Sequence, residues 1–222
     1  MEKNGLQSVR RKGMIDGINV FTQNSIRMEK GKVIYFDPFR IDQEWKDADL
    51  IFITHNHYDH FSLEDIGRIA KKDTKIILPE KMRKDTKRLN FLEEHIFYVK
   101  PGQSYQVDEI TFTTVPSYNI IKPFHPKSYG GVGYILEIQK VRYYIAGDTD
   151  LIQEIKEVQC EVAFLPIGGI YTMNYKKAAE LANLIRPKIV IPVHYGSIIG
   201  RKEDGIRFRE LLALDIQCEL YI

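Results

Sequence analysis

Residues 51–60 read Ile51-Phe52-Ile53-Thr54-His55-Asn56-His57-Tyr58-Asp59-His60. Leu50 to Thr54 is an almost unbroken apolar run, the pattern of a strand buried on both faces. Four groups able to bind a metal follow where that strand runs out. His55 and His57, two apart, project the same way while the chain stays extended. A turn after them swings Asp59 and His60 toward a neighbouring point, about 3.5–4 Å away if the site is a hydrolytic metal pair. Imidazole and carboxylate together are zinc ligands, and a loop at a strand end lets them converge.

Two further segments end in the same way. Tyr143-Tyr-Ile-Ala-Gly147-Asp148-Thr149 places an aspartate after an apolar run and a turn-permitting glycine. Ile189-Val-Ile-Pro-Val193-His194-Tyr195-Gly196 places a histidine after another. Taken alone, a Gly-Asp-Thr turn or a strand-end histidine usually serves structure. Two metals need more donors than the first segment supplies, so Asp148 and His194 join the candidates.

The chain has 222 residues, a formal charge of +2 and 44% hydrophobic residues. That length suits one domain over residues 1–222, with enough apolar material for a core and no global signature of a nucleic-acid binder. Residues 1–17 are polar and charged, without a signal-peptide core, and no apolar run reaches membrane-spanning length. Cys160 and Cys218 stand far apart and outside any C-x-x-C pair, so they read as reduced thiols beside strands. A cytoplasmic location is the resulting expectation.

Apolar patterning predicts strands at Ile18–Phe21, Val33–Phe36, Leu50–Thr54, Lys75–Leu78, Ile96–Val99, Ser104–Val107 and Ile110–Val115. It also predicts a hairpin of Gly133–Ile138 with Val141–Ala146, then strands at Val162–Leu165, Lys188–Val193 and Gln217–Tyr221. Helices are expected at Leu63–Lys72 with Ser62 as N-cap, Glu80–Leu92, Asp150–Val158, Tyr175–Ile185 and Lys202–Leu214. Ser117–Gly130 is aperiodic and reads as a long functional loop. Strands first and strand–helix alternation afterwards suit two β-sheets packed face to face with helices outside.

The H-x-H-x-D-H segment, the later Asp148 and the final His194, in this order, resemble the metallo-β-lactamase superfamily. Tyr35-Phe-Asp37-Pro38 looks like its early aspartate motif. Leu165-Pro-Ile-Gly-Gly169-Ile-Tyr171-Thr172-Met173 is similar to the ascorbate-6-phosphate lactonase-like branch and its uncharacterised metal-dependent hydrolase relatives. The resemblance implies an α/β fold, a four-layer αβ/βα sandwich of two mixed β-sheets with the metals at the strand ends. It implies that His55, His57 and a third histidine bind one metal. Asp59, His60 and His194 would bind the second, Asp148 would bridge, and Asp37 would stand behind the ligand loop and orient it.

The chain departs from that pattern twice. Where the branch carries Gly-His in its first hairpin, Thr22-Gln23-Asn24-Ser25 leaves a polar amide to make the hydrogen bonds. Where the third histidine normally follows the strand ending at Val115-Pro116, Ser117-Tyr118-Asn119 stands instead. His95 and His125 remain; His95 comes too early in the order, and His125 between Pro123 and Pro126 is the expected ligand, with water or Asn119 as the other ways to complete the site.

The expected activity is hydrolysis of an ester, lactone, amide or phosphodiester by a metal-bound hydroxide, with two Zn2+ per chain, or Mn2+ or Fe2+ in their place. Asp59 and Asp148 are the catalytic candidates, and Tyr118 and Lys122 are available to an anionic substrate. A small-molecule substrate is expected, no membrane, and room for a homo-oligomer. RNA or DNA phosphodiesterase (nuclease) activity, and a non-hydrolytic di-iron redox or sensor role, are the alternatives.

Overall fold

A computed structural model describes residues 11–89 and 94–222. Strands β1 (Ile18–Val20), β2 (Ile26–Glu29), β3 (Val33–Phe36), β4 (Ala48–Phe52), β5 (Ala70–Pro79) and β6 (Ile96–Val99) form one sheet in that order. Strands β7 (Ser104–Val107), β8 (Ile110–Pro116), β9 (Val132–Ile138), β10 (Val141–Ile145), β11 (Val162–Pro166), β12 (Ile189–Val193) and β13 (Gln217–Cys218) form the other, also in chain order. Each sheet begins antiparallel and turns parallel, at β3 in the first and at β10 in the second. Both sheets are mixed, as expected.

Side-chain alternation sorts the strands into layers. Ile34, Phe36, Leu50 and Phe52 point between the sheets, where they meet Phe112, Tyr134, Leu136, Ile145 and Phe164 of the second sheet. Phe52 lies at the centre of this layer, stacked on Phe36 at 5.2 Å and edge-on to Phe112 and Tyr134 at 5.1 and 5.0 Å. The intervening residues Tyr35, Ile51 and Ile53 face outward and pack on Ile66 and Ile69 of α1 (Leu63–Ile69). On the far side, Tyr144, Ala163, Leu165 and Val190 pack under α2 (Tyr175–Ile185) and α3 (Glu203–Glu210). Ala178, Ala179 and Ala182 give α2 a small-residue face that lies close to the sheet. The order is thus helix, sheet, sheet, helix. Among the described residues, no helix is long and apolar enough to cross a membrane.

Several elements differ from the sequence reading. The sequence pattern does not reveal β2, because Ile26-Arg27-Met28-Glu29 does not alternate cleanly and even Arg27 is buried, paired with Asp47 at 2.7 Å. Helix α1, with its Ser62 cap as expected, stops at Ile69 and not at Lys72. Ala70 pairs with Ala48, and Thr74 donates to the Ala48 carbonyl at 2.6 Å, so sheet pairing takes the next residues from the helix. Glu80–Arg88 is 3-10 rather than α-helical and has no side-chain N-cap, while residues 90–92 of the expected helix lie outside the described residues. Only Gln153–Ile155 of the expected helix at 150–158 is helical, as a single 3-10 turn, and α3 and β13 are shorter than read. Cys160 and Cys218 are free, and burial pushes each thiol up to about 12.

Truncating the central aromatic of the inter-sheet layer leaves a cavity that its aromatic neighbours can close only in part. Phe52→Ala is expected to lower unfolding stability by about 3–5 kcal/mol. The shift in urea midpoint measures this, and a change below 1 kcal/mol would mean that the two sheets do not depend on this contact.

Candidate metal centre

Every candidate ligand lies just past the C-terminal end of a strand. His55, His57, Asp59 and His60 follow β4, His125 lies in the loop after β8, Asp148 follows β10 and His194 follows β12. Strand ends of an α/β sheet are where backbone groups and loops are free to build a site. The β4 loop turns by hydrogen bonds from the His60 and Phe61 amides to the His57 carbonyl, at 3.0 and 2.8 Å. That turn brings Asp59 and His60 back beside His55. Gly147, at φ +64, brings the Asp148 turn down onto Thr54, where a Cβ would lie 3.1 Å from the threonine side chain.

The seven groups form three overlapping sets whose donor atoms lie within 4.8 Å of one another: His55, His57 and His125; His55, His60 and Asp148; Asp59, His60 and His194. His125 Nε2 is 3.3 Å from His55 Nε2 and 3.0 Å from His57 Nδ1. His60 Nε2 is 3.2 Å from His194 Nε2. Asp148 reaches both ends, with Oδ2 at 3.3 Å from His194 Nε2 and 3.6 Å from His125 Nε2, and Oδ1 at 3.4 Å from His60 Nε2. His95 stays at the foot of β6, outside all three sets.

The residues behind the rings decide which nitrogen faces inward. Asp37, fully buried, accepts from Thr54 N and Thr54 Oγ1, each at 2.7 Å, and from Asn24 Nδ2 at 2.7 Å. His60 Nδ1 lies 2.7 Å from the same carboxylate and donates to it. Thr54 Oγ1, its own proton given to Asp37, accepts from His55 Nδ1 at 3.0 Å. Asn119 Oδ1 accepts from His125 Nδ1 at 3.0 Å. At His55 and His125 the outer nitrogen donates and the inner one presents a lone pair, while at His60 the outer nitrogen donates to Asp37. His55 Nε2 and His57 Nδ1 both lie within 3.3 Å of His125 Nε2, a convergence of buried imidazole nitrogens that suits a cation among them.

Electrostatics agree with that arrangement. Burial, reinforced by the neighbouring imidazoles, lowers the pKa of His55, His57 and His125, the last to about 4, and keeps them neutral. At His60 burial opposes charge, but Asp148 and Asp37 outweigh it and raise its pKa well above the ordinary value. Burial likewise opposes charge on Asp59 and Asp148, and His194 and His60 outweigh it, so both stay ionised. A proton among His60, Asp148 and His194 therefore stands where a divalent cation fits. Asp148 Oδ1 is buried without a hydrogen-bond donor, a further acceptor for such a cation. The donor set of imidazole and carboxylate suits zinc and its neighbours.

Four polar side chains around the candidate ligands have contacts that the sequence does not specify. Thr54 and Asn24 complete the Asp37 network, and a hydroxyl beside the first histidine was the only visible signal. Asn119, at the position where the resemblance leads one to expect a histidine, instead holds His125 through both ring and backbone and is itself anchored to the Tyr171 carbonyl at 2.8 Å. Gln23 Nε2 donates to Asp59 Oδ2 at 3.2 Å and lies 3.2 Å from His194 Nε2, filling the place of the missing hairpin histidine. Two expected substrate contacts point elsewhere. Lys122 pairs with Asp150 at 2.6 Å, and Tyr118 donates to Glu154 at 3.1 Å. Tyr195 is buried with its hydroxyl on the Ile222 carbonyl.

Residues 17–194 match the sequence model of the beta-lactamase superfamily domain. A UPF0173 metal-dependent hydrolase of Pyrococcus furiosus is 30% identical over 203 residues, covering 83% of this chain and 87% of that protein. One of Thermus thermophilus is 31% identical over 171 residues, covering 73% and 72%. Among solved structures, a protein of Parabacteroides distasonis named as a metal-dependent hydrolase is 30% identical, with a TM-score of 0.77 and 91% of both chains covered. A metallo hydrolase of Ignicoccus hospitalis has the same fold at 23% identity, with a TM-score of 0.73 over 91% of this chain and 93% of that one. The chain belongs to the beta-lactamase superfamily and, within it, to the UPF0173 family of metal-dependent hydrolases.

Proposed function

We propose that this protein is a zinc-dependent hydrolase with two metals per chain, acting on a small molecule. The observation that carries the reading is the convergence of nitrogens from His55, His57 and His125, three histidines that their surroundings keep neutral. His55, His57 and His125 would hold the first metal; Asp59, His60 and His194 the second; Asp148 lies between the two sets. When bound, the metals supply Lewis acidity and bring water to ionise near neutral pH.

The chain's own residues then have distinct tasks. Asp148 and Asp59 offset the charge of the cations, and their ionised state suits that role. Asp59 lies in the wall of the cleft, beside Gln23 and His194. With its pKa held far down, it is a weak base, so it aligns the attacking water by accepting a hydrogen bond rather than by taking its proton. Gln23 fixes the Asp59 carboxylate by donating to Oδ2. Asn119 fixes His125, and Asp37 fixes His60. Most of the centre is buried, which strengthens these interactions over their value in water.

Metal analysis of zinc-loaded protein at neutral pH is expected to return about two ions per chain. A single ion, unchanged by added zinc or manganese, would count against the paired site. His125→Ala is expected to lose metal and at least about a hundredfold in activity, in keeping with the ten- to hundredfold or greater effects of disturbing ligand sets, whereas His95→Ala behaves as wild type. Equal behaviour of the two variants would remove His125 from the site.

Metal binding at the second set must displace the proton on His60, because its raised pKa keeps it charged at neutral pH in the metal-free protein. Affinity there is expected to rise with pH until His60 has titrated, and about one proton per chain should be released. Calorimetry of zinc binding at pH 7 in buffers of different ionisation enthalpy reads that proton directly. A buffer-independent heat would contradict it.

A further inference from the structure

The cleft over the metal centre has a volume of about 320 Å³, enough for a small ligand rather than a polymer segment. Its floor is Gln23, His57, Asp59, Asp148 and His194; the rest of its wall is Tyr58, Phe124, Tyr171, Ile198 and Ile199. None of these lining residues is a lysine or arginine. The wall is organised: Phe124 packs edge-on to Tyr171 at 4.5 Å, and Tyr58 edge-on to Phe39 at 5.8 Å. Several of its apolar side chains are nonetheless open to solvent. Tyr58 is 67% exposed, Phe124 39% and Ile198 38%. Exposed apolar side chains gathered at a cleft mouth mark a binding surface.

Two nearby cations, Lys122 and Arg40, already have partners. Lys122 donates to Asp150 and to the Thr172 carbonyl, at 2.6 and 2.5 Å. Arg40 donates to Ser197 Oγ at 3.1 Å and lies over the Phe39 ring at 5.2 Å. Sites for phosphate esters use arginine or lysine to hold the anion. We infer, resting on the hydrolase reading above, that this cleft selects a neutral acyl compound, an ester, lactone or amide with an aliphatic or aromatic flank, over phosphate esters. In the reaction, water adds its oxygen to the carbonyl carbon and the C–O or C–N bond breaks. The alcohol or amine leaves with a proton from water, and the acid remains. Tyr58, Phe124, Tyr171 and Ile198 would take the flank.

Binding can be measured apart from turnover. Zinc-loaded protein is titrated with acetohydroxamate, octanohydroxamate and phenyl phosphate, and hydrolysis is followed with p-nitrophenyl acetate, p-nitrophenyl octanoate and bis(p-nitrophenyl) phosphate. Octanohydroxamate is expected to bind at least about tenfold tighter than acetohydroxamate, a gain of about 1.4 kcal/mol that partial burial of a few methylenes supplies. Phenyl phosphate is expected to bind more weakly than octanohydroxamate, and kcat/KM to favour the octanoate ester. Tyr171→Ala and Ile198→Ala should each shrink the tenfold ratio with metal content unchanged. Equal affinities for the two hydroxamates, or a preference for the phosphates, would overturn the inference while leaving the hydrolase reading intact. Tight octanohydroxamate binding with no hydrolysis of any ester, lactone or amide would sink the hydrolase reading and leave the apolar selectivity of the cleft in place.

Discussion

The Asp37 carboxylate is the contact on which the candidate metal centre rests. It has no exposed surface, and burying a charge in this way is costly unless donors surround it. Four do: the Thr54 amide and hydroxyl, the Asn24 amide and the His60 ring, each at 2.7 Å. These donors come from the β1–β2 hairpin, the end of β4 and the ligand loop. One buried anion therefore fixes three segments relative to β3 and sets the tautomer of His60. Through Thr54 Oγ1 it also sets that of His55. Removing it would strand several buried donors, each costing about 1–3 kcal/mol.

Three of the nine non-glycine residues at positive φ among the described residues lie around the same point. Gln23, Asp37 and His194 all adopt positive φ, at 51, 41 and 57°, without being glycine. Such conformations persist where the surrounding structure over-determines them. Here the His194 amide donates to the Gln23 carbonyl at 2.8 Å, tying the end of β12 to the first hairpin. The two sheets also meet through Val132 N on the Thr54 carbonyl and Tyr134 Oη on the Ile53 carbonyl. The site thus lies at a seam. His55, His57, Asp59 and His60 come from the first sheet, and His125, Asp148 and His194 from the second. A candidate ligand set divided in this way would couple metal binding to the docking of the sheets.

The loop after β8 combines two roles that its sequence does not separate. His125 and Phe124 are neighbours, yet His125 is buried among the other imidazoles and Phe124 stands in the wall of the open cleft. Asn119 holds both ends of this arrangement: its backbone amide donates to the His125 carbonyl at 2.7 Å, and its side chain reaches His125 and Tyr171. The donor and the apolar wall are therefore placed by one asparagine.

The H-x-H-x-D-H run was legible by itself because its candidate ligands are local: strand, turn and spacing fix their directions within six residues. The two-sheet architecture was legible too, since apolar alternation and strand–helix order are properties of the chain. Other features depended on contacts between distant segments. The ladder from Ala48 to Ala70 cut α1 short against its own helical pattern. β2 can bury Arg27 because Asp47, 20 residues away, pairs with it. The order of histidines singled out His125, but only its approach to His55 and His57, 70 and 68 residues distant, gives it a place among them. Gln23, Asn24 and Asn119 carry common polar side chains whose meaning lies entirely in what they touch. Local spacing determines which groups can bind a metal; the closing of one sheet on the other decides which of them meet.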